Sequence, residues 1–187
     1  LNLCVRNLEN INRYDKINNH TLLADVCLAA KYEGAAISAD HGQYQQTNSY
    51  SQLCTMLARS FADIGDIVRG KDLYRGNNGK DRLEENLRKI FTQIYNDVTR
   101  TATNGKKEEL QKRYKKDDDP NFYKLREDWW YANRIMVWNA ITCGVSGSQY
   151  FRHTCGTGEI PNATNHDCRC SSYKVPTYFD YVPQYLR

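Results

Sequence analysis

An all-α bundle built around one long tryptophan-rich helix is the fold class this sequence predicts, and three observations carry it. The stretch 122–144, FYKLREDWWYANRIMVWNAITCG, holds all three tryptophans and repeats its apolar residues at helical spacing. Segments 21–44, 53–70 and 81–100 show further amphipathic helical stripes, and no alternating strand pattern of any length interrupts them. With 187 residues and 40% hydrophobic content, the chain is long enough for one domain with a sizeable core.

In the central helix, Phe122, Leu125, Trp129, Ala132, Met136, Ala140 and Cys143 step by three or four and fall on one face. Trp130, Val137, Trp138 and Ile141 widen that face until little is left for water, which predicts a helix surrounded by others. It would run about 33 Å at 1.5 Å per residue. Tryptophans so placed read as core, not as platforms for sugar rings.

Ahead of it, Leu22, Val26, Ala30 and Ile37 mark a helix from Thr21, the expected N-cap, with Glu33 as a polar substitution. Gly34 weakens that helix by about 1 kcal/mol relative to alanine. Ser49 and Gln52 form a capping box for the next helix. Its stripe is Leu53, Leu57, Ile64 and Val68, with Asp63 and Asp66 on the polar side and Gly70 as the stop. A third helix, about 81–100, buries Leu83, Leu87, Ile90, Ile94 and Val98 and ends at Asn104-Gly105. Its early Asp81, Glu84 and Glu85 suit the helix dipole. Residues 106–119 are a charged segment; 145–175 form a Cys- and Gly-rich loop; VPTYFDYVPQYLR is extended and aromatic, with Pro183 placed to begin another helix.

Charge sets limits on partners. The formal net charge is +4, and the sequence pI near 8.6 falls short of the value above 9 that marks a nucleic-acid-binding domain. Two basic groups stand out for sulfated glycans: Arg69, Lys71, Arg75 and Lys80, opposed only by Asp72, and Lys112, Arg113, Lys115 and Lys116 in the segment 106–119. That segment has six basic and five acidic residues, so it reads first as a solvated face. No apolar run reaches 18 residues, and the N-terminal residues lack a signal-peptide pattern. Direct membrane insertion by this segment is not expected, and localisation follows from sequence outside it or, by default, is cytosolic.

Seven cysteines is a high and odd count, and four crowd into Cys143–Cys170. Disulfides in an oxidising compartment are the expected reading, with Cys27, Cys54, Cys143, Cys155, Cys168 and Cys170 as structural partners. Six cysteines allow about 15 connectivities, and spacing does not choose among them. Together with His153 and His166 the cluster could instead hold zinc, although its C-x-C and H-x-C pairs do not match structural zinc spacing. Neither a metal nor a cofactor is expected. Catalytic signatures such as G-x-S-x-G, H-E-x-x-H or a phosphate loop are missing from the sequence, so no enzyme is expected. Asn162-Ala163-Thr164 is a formal glycosylation triplet.

Several strings occur together in one order: LCVRNLENI at 3–11, TLLADVCLAAKYEG at 21–34, LCTMLARSFADIGDIVRG at 53–70, and LREDWWYANRIMVWNAITCG at 125–144. YFRHTCG at 150–156, CRC at 168–170 and VPTYFDYVPQYLR at 175–187 complete the set. In this they resemble the Duffy-binding-like domain of the variant erythrocyte membrane protein adhesins of Plasmodium falciparum. The stretch from Asp63 to Arg187 is similar to the alpha class. The resemblance implies one partial domain over 1–187, mainly the middle of three helical subdomains. It also implies that the partner of Cys4 lies upstream of this chain. Its implied setting is the extracellular face of the infected erythrocyte, on a larger membrane-anchored adhesin.

The expected function is an extracellular adhesion module acting in cytoadhesion or rosetting. Its partners would be host receptors (sulfated glycans, blood-group sugars or receptor proteins) and neighbouring subdomains of the same adhesin. Tyr173, Tyr178, Phe179, Tyr181 and Tyr185 would line an interface with those subdomains. The alternatives are a zinc-stabilised intracellular helical scaffold that binds a protein partner, and a purely structural segment that holds binding subdomains together.

Overall fold

The computed structural model describes residues 3–44, 52–72, 78–156 and 160–187. All regular structure among them is helical: α1 (Arg6–Glu9), α2 (Asn19–Tyr44), α3 (Leu53–Arg69), α4 (Asn78–Thr101), α5 (Asn104–Arg113) and α6 (Tyr123–Ile141). Short 3-10 turns cover Tyr14–Lys16, Phe179–Tyr181 and Gln184–Leu186. The last follows Pro183, which serves as its N-cap and not as the first helical residue the sequence predicts. Among the described residues of the Cys-rich loop only two isolated bridges form, Ser148 with Asp167 and Cys155 with Asn162.

The cap of α2 lies earlier than expected. Asn18 Oδ1 accepts from the N–H of His20 at 2.9 Å and of Thr21 at 3.1 Å, while Thr21 Oγ1 accepts from Asn18 N–H at 2.8 Å. Asn18 is therefore the N-cap, and Thr21 is its reciprocal partner one turn on. For α3 the residue before the first turn is Gln52, and Ser49 lies outside the described residues. Gly70 does stop α3, at φ 70, with Lys71 N–H donating to the Asp66 carbonyl at 2.8 Å. This left-handed closure is one that glycine adopts without strain. Asn104-Gly105 opens α5 instead of ending α4, because Thr103 is already extended and serves as the N-cap.

α6 is the axis of the bundle, but its buried face is turned from the expected one. Leu125, Arg126, Trp129, Trp130, Arg134, Val137, Trp138 and Ile141 are buried, whereas Ala132 and Cys143 are exposed and Met136 is 52% exposed. Apolar periodicity skipped Arg126 and Arg134. Both arginines are buried because acidic partners neutralise them (below), so the true stripe runs through two charged residues.

Helix α2 lies parallel to α6. Trp129 Nε1 donates to Asn19 Oδ1 at 2.6 Å near one end. Near the other, a Cβ on Gly34 would stand 1.9 Å from the Ile141 carbonyl oxygen. Gly34 is therefore a point of close backbone approach between the two helices, a role its helix propensity hid. The α3 helix runs antiparallel to α6. Phe61 packs on Trp130 and Trp138 with ring centroids 5.1 and 5.2 Å apart, and a Cβ on Gly65 would meet the Trp130 ring at 2.8 Å. From α4, Phe91 meets Trp129 edge-on at 6.1 Å. The expected α4 stripe is buried except at Val98, which is 36% exposed.

We predict that Gly34→Ala lowers unfolding free energy by about 3 kcal/mol, at the upper end of overpacking costs, because the clash is with backbone. Gly42→Ala, with nothing within 4 Å of its added Cβ, should instead be neutral or stabilising by up to about 1 kcal/mol. Urea titrations of the two variants read the contrast directly.

Candidate functional site

The ends of α3 and α6 and the segment 175–187 share a buried ionic cluster. Asp180, 2% exposed, is its centre. Its carboxylate accepts from Arg134 Nε at 2.8 Å, Arg134 Nη2 at 2.7 Å and Trp130 Nε1 at 2.8 Å. Arg134 Nη2 also donates to the Thr177 carbonyl at 2.9 Å. Arg69, 1% exposed, donates to the carbonyls of Gly65 and Asp180 and to the carboxylates of Asp66 and Glu127. Arg187 donates to Asp63 at 3.0 Å and to Asp66. Burial pushes the Asp63 and Asp66 carboxyls above the ordinary range although Arg187 pulls both down. At Glu127 burial also pushes upward, but Lys71 and Arg69 hold its carboxyl below the usual value. A second buried arginine, Arg126, donates to the Val68 carbonyl at 2.6 Å and forms a two-pronged pair with Glu84 at 2.6 and 2.9 Å. Glu84 thus pairs across helices and does more than complement the dipole of α4.

This geometry overturns part of the expected glycan site. Arg69 is sealed in the core with its donors occupied, so it has no charge to offer a ligand. Asp66 lies inside as well, and Asp63 is half-buried; neither is on a polar face, since Arg187 and Arg69 satisfy them there. Lys71 is exposed and paired with Glu127 at 2.6 Å. Arg75 lies outside the described residues, as does the side chain of Lys80.

The second basic group is on the surface but is interleaved with acid. Lys112, Arg113, Lys115 and Lys116 are all exposed. The guanidinium of Arg113 grips Asp128 through two bonds of 2.9 Å, and Tyr114 donates to the same carboxylate at 2.6 Å. Lys115 lies 3.9 Å from Asp118. Lys112 and Arg113 line a shallow cleft with Lys124 and Glu109. The fold brings Lys124 to this group, which sequence separation concealed, but it does not turn bases one way and acids another.

Two disulfides cross-link the loop, Cys54–Cys168 over a sequence separation of 114 and Cys155–Cys170 over 15. Cys4, Cys27 and Cys143 are free thiols, which corrects the expectation that Cys27 and Cys143 are each disulfide-bonded. The parallel packing keeps these two apart from each other. Gly34 sits beside Ile141, so Cys27 lies about 10 Å farther back along α2, beyond the ~7 Å Cα limit for a bond to Cys143. Burial raises the Cys27 thiol. The thiolates needed for zinc at Cys155, Cys168 and Cys170 are spent in disulfides. Among the described residues no group of three or more His, Cys, Asp or Glu is gathered to hold a metal ion.

The described helices pack around buried arginines and tryptophans, with the loop tied to α3 and to itself by disulfides. Comparison with known proteins gives the family. The chain matches the Duffy binding domain family over residues 1–187 and belongs to it. It is 39% identical to the NTS-DBL1(alpha-1) domain of Plasmodium falciparum membrane protein 1 (PfEMP1) from the varO strain, covering 98% of this chain and 39% of that one, TM-score 0.74. It is 31% identical to the ICAM-1-binding DBLbeta domain of PfEMP1 IT4var13, covering 99% and 39%, TM-score 0.68. The same DBLbeta domain bound to ICAM-1 matches at 30% identity over 98% of this chain and 40% of that one, TM-score 0.65. No curated protein matches the chain. It therefore spans about two fifths of the length of these structural relatives.

Two outcomes are expected. Asp180→Asn leaves Arg134 buried without its counter-charge and should cost about 3–5 kcal/mol of stability, seen as a large drop in melting temperature. Alkylation in denaturant without reductant should modify three thiols per chain by intact mass, and seven after reduction, matching the three free cysteines and two disulfides.

Proposed function

We propose that this chain is an extracellular adhesion module that binds a host cell-surface receptor by shape complementarity, as part of a larger membrane-anchored adhesin. The observation that carries this reading is its likeness to the DBLbeta domain bound to ICAM-1, at 30% identity across 98% of the chain. The scaffold suits the task. Its helices are locked by disulfides and buried ion pairs, so presenting a surface costs little ordering entropy on binding. Loops such as 145–175 can then vary in side chain without disturbing α6.

A receptor protein fits better than a sulfated glycan as the principal ligand. Arg69 is in the core, Lys71 is paired with Glu127, and Arg113 is paired with Asp128. A glycan reading keeps Lys112, Lys115, Lys116 and Lys124 as its candidates, grouped around the α5 cleft. Cytoadhesion or rosetting on the infected erythrocyte surface is the setting this proposal adopts.

Flow cytometry of the fluorescent chain on human erythrocytes and on ICAM-1-coated beads tests it. Saturable binding that trypsin treatment of the target abolishes, and that a charge reversal at Lys112, Lys115 and Lys116 changes less than about 2-fold, is expected. Binding removed by that reversal and by soluble heparin would move the ligand to sulfated glycans. A chain that binds neither target would count against receptor recognition by this segment.

A further inference from the structure

Of the helices α1 to α6, α5 is the one with no buried residue. From Thr103 to Lys116 every residue is exposed except Leu110, half-buried against the core, and Tyr114, which is buried. Thr103 makes no side-chain cap, and Gly105 stands in the first turn with open space where a Cβ would be. A helix of ten residues that is polar on nearly all sides is marginal without tertiary support. Beyond Leu110, that support is the surface pair Arg113–Asp128 and the bond from Tyr114 to the same carboxylate. Exposed ion pairs of this kind add little. The flanking helices are held far more firmly, α4 by Leu87, Ile90, Phe91 and Ile94 and α6 by its tryptophans. Helix α5 can therefore unwind while both stay folded.

We infer that α5 is a proteolytic modification site, where an endopeptidase that cuts after lysine or arginine converts the chain into a joined two-chain form that keeps its fold. The exposed bases Lys106, Lys107, Lys112, Arg113, Lys115 and Lys116 supply the cleavage positions. Hydrolysis adds one water across the peptide bond, leaving a carboxylate on the first part and an ammonium on the second. Cys54 lies before the cut and Cys168 after it, so their disulfide keeps the two parts covalently joined. The core contacts cross the cut as well. Arg126 reaches Glu84 and the Val68 carbonyl, Arg69 reaches Glu127, and Phe61 packs on Trp130 and Trp138. Exposure by itself does not select α5. Arg152 is also exposed, but the bonds from Tyr150 N–H to Thr164 Oγ1 and from Thr154 Oγ1 to the Pro176 carbonyl pin the chain on either side of it. Arg69, Arg126 and Arg134 are buried. Cleavage takes apart the cleft lined by Glu109, Lys112, Arg113 and Lys124 and leaves the tryptophan core as it was.

Limited digestion with trypsin, under native conditions and without reductant, tests the inference. Peptide mapping should place a cut within 106–116, and the first product should have the mass of the whole chain plus one water. That product should run as one band before reduction and two after it, with the near-ultraviolet circular dichroism of the tryptophans unchanged. Because the cut follows the open population of α5, Gly105→Ala should slow it about 3-fold by favouring the helix. Leu110→Ala removes the one apolar anchor and should speed it about 5-fold or more. A folded chain left uncut within 106–116 overturns the inference, as does a product whose parts separate without reductant or whose tryptophan signal collapses. Equal cleavage rates in the unaltered chain and both variants would mean that unwinding of α5 does not control the cut, and would overturn it too.

Discussion

The carboxylate of Asp180 is the constraint on which the rest of this structure depends. A charge removed from water is tolerated only with a counter-charge and filled hydrogen-bond positions. Asp180 has both, from Arg134 and Trp130 on α6, and its backbone carbonyl takes a further bond from Arg69 on α3. One residue near the end of the chain thereby fixes the angle between two helices. Arg69 in turn needs Asp66 and Glu127, and Asp66 needs Arg187. Each ion is buried because the next one is, so the cluster forms as a unit or not at all.

Around that cluster the apolar packing has little slack. Gly34 and Gly65 bring α2 and α3 against α6 at distances that admit no Cβ, and Trp130 and Trp138 fill the space between with no exposed surface. Such packing favours a single register over many similar ones. The Cys54–Cys168 bond ties the start of α3 to the loop beneath Trp138, whose indole donates to the Cys168 carbonyl at 3.2 Å. Covalent and aromatic restraints thus coincide at one end of α6, and ionic restraints at the other.

Much of the fold was legible because apolar spacing reports burial when the buried residues are apolar. The existence and order of α2, α3, α4 and α6, and the core role of the tryptophans, followed from that alone. The same rule failed at Arg126, Arg134, Arg69, Asp63 and Asp66. These are charged residues whose position depends on partners up to 124 residues away in the sequence. Counting bases between Gly-rich turns therefore placed Arg69 on a ligand surface when it lies in the core. Segment-wide charge near α5 was read correctly as a balance, but Lys124 joined it only through folding. Cys27 and Cys143 went astray because composition suggests that disulfides form and only geometry says between which residues. The family was legible as well, since its motifs survive as ordered strings even where single residues mislead.

The longer disulfide has a mechanical consequence. Tension transmitted along the backbone from α2 toward the segment 175–187 passes directly from Cys54 to Cys168, so α3 to α6 and most of the loop are spared extension. The load falls on two non-covalent seats: α2 against Ile141, and the arginine clasp that holds Asp180 and Arg187. Arginine–carboxylate contacts of this kind must break several hydrogen bonds together when sheared, so they resist a pull along the chain better than isolated bonds would. When the chain is pulled, the part most insulated from the load is the tryptophan core.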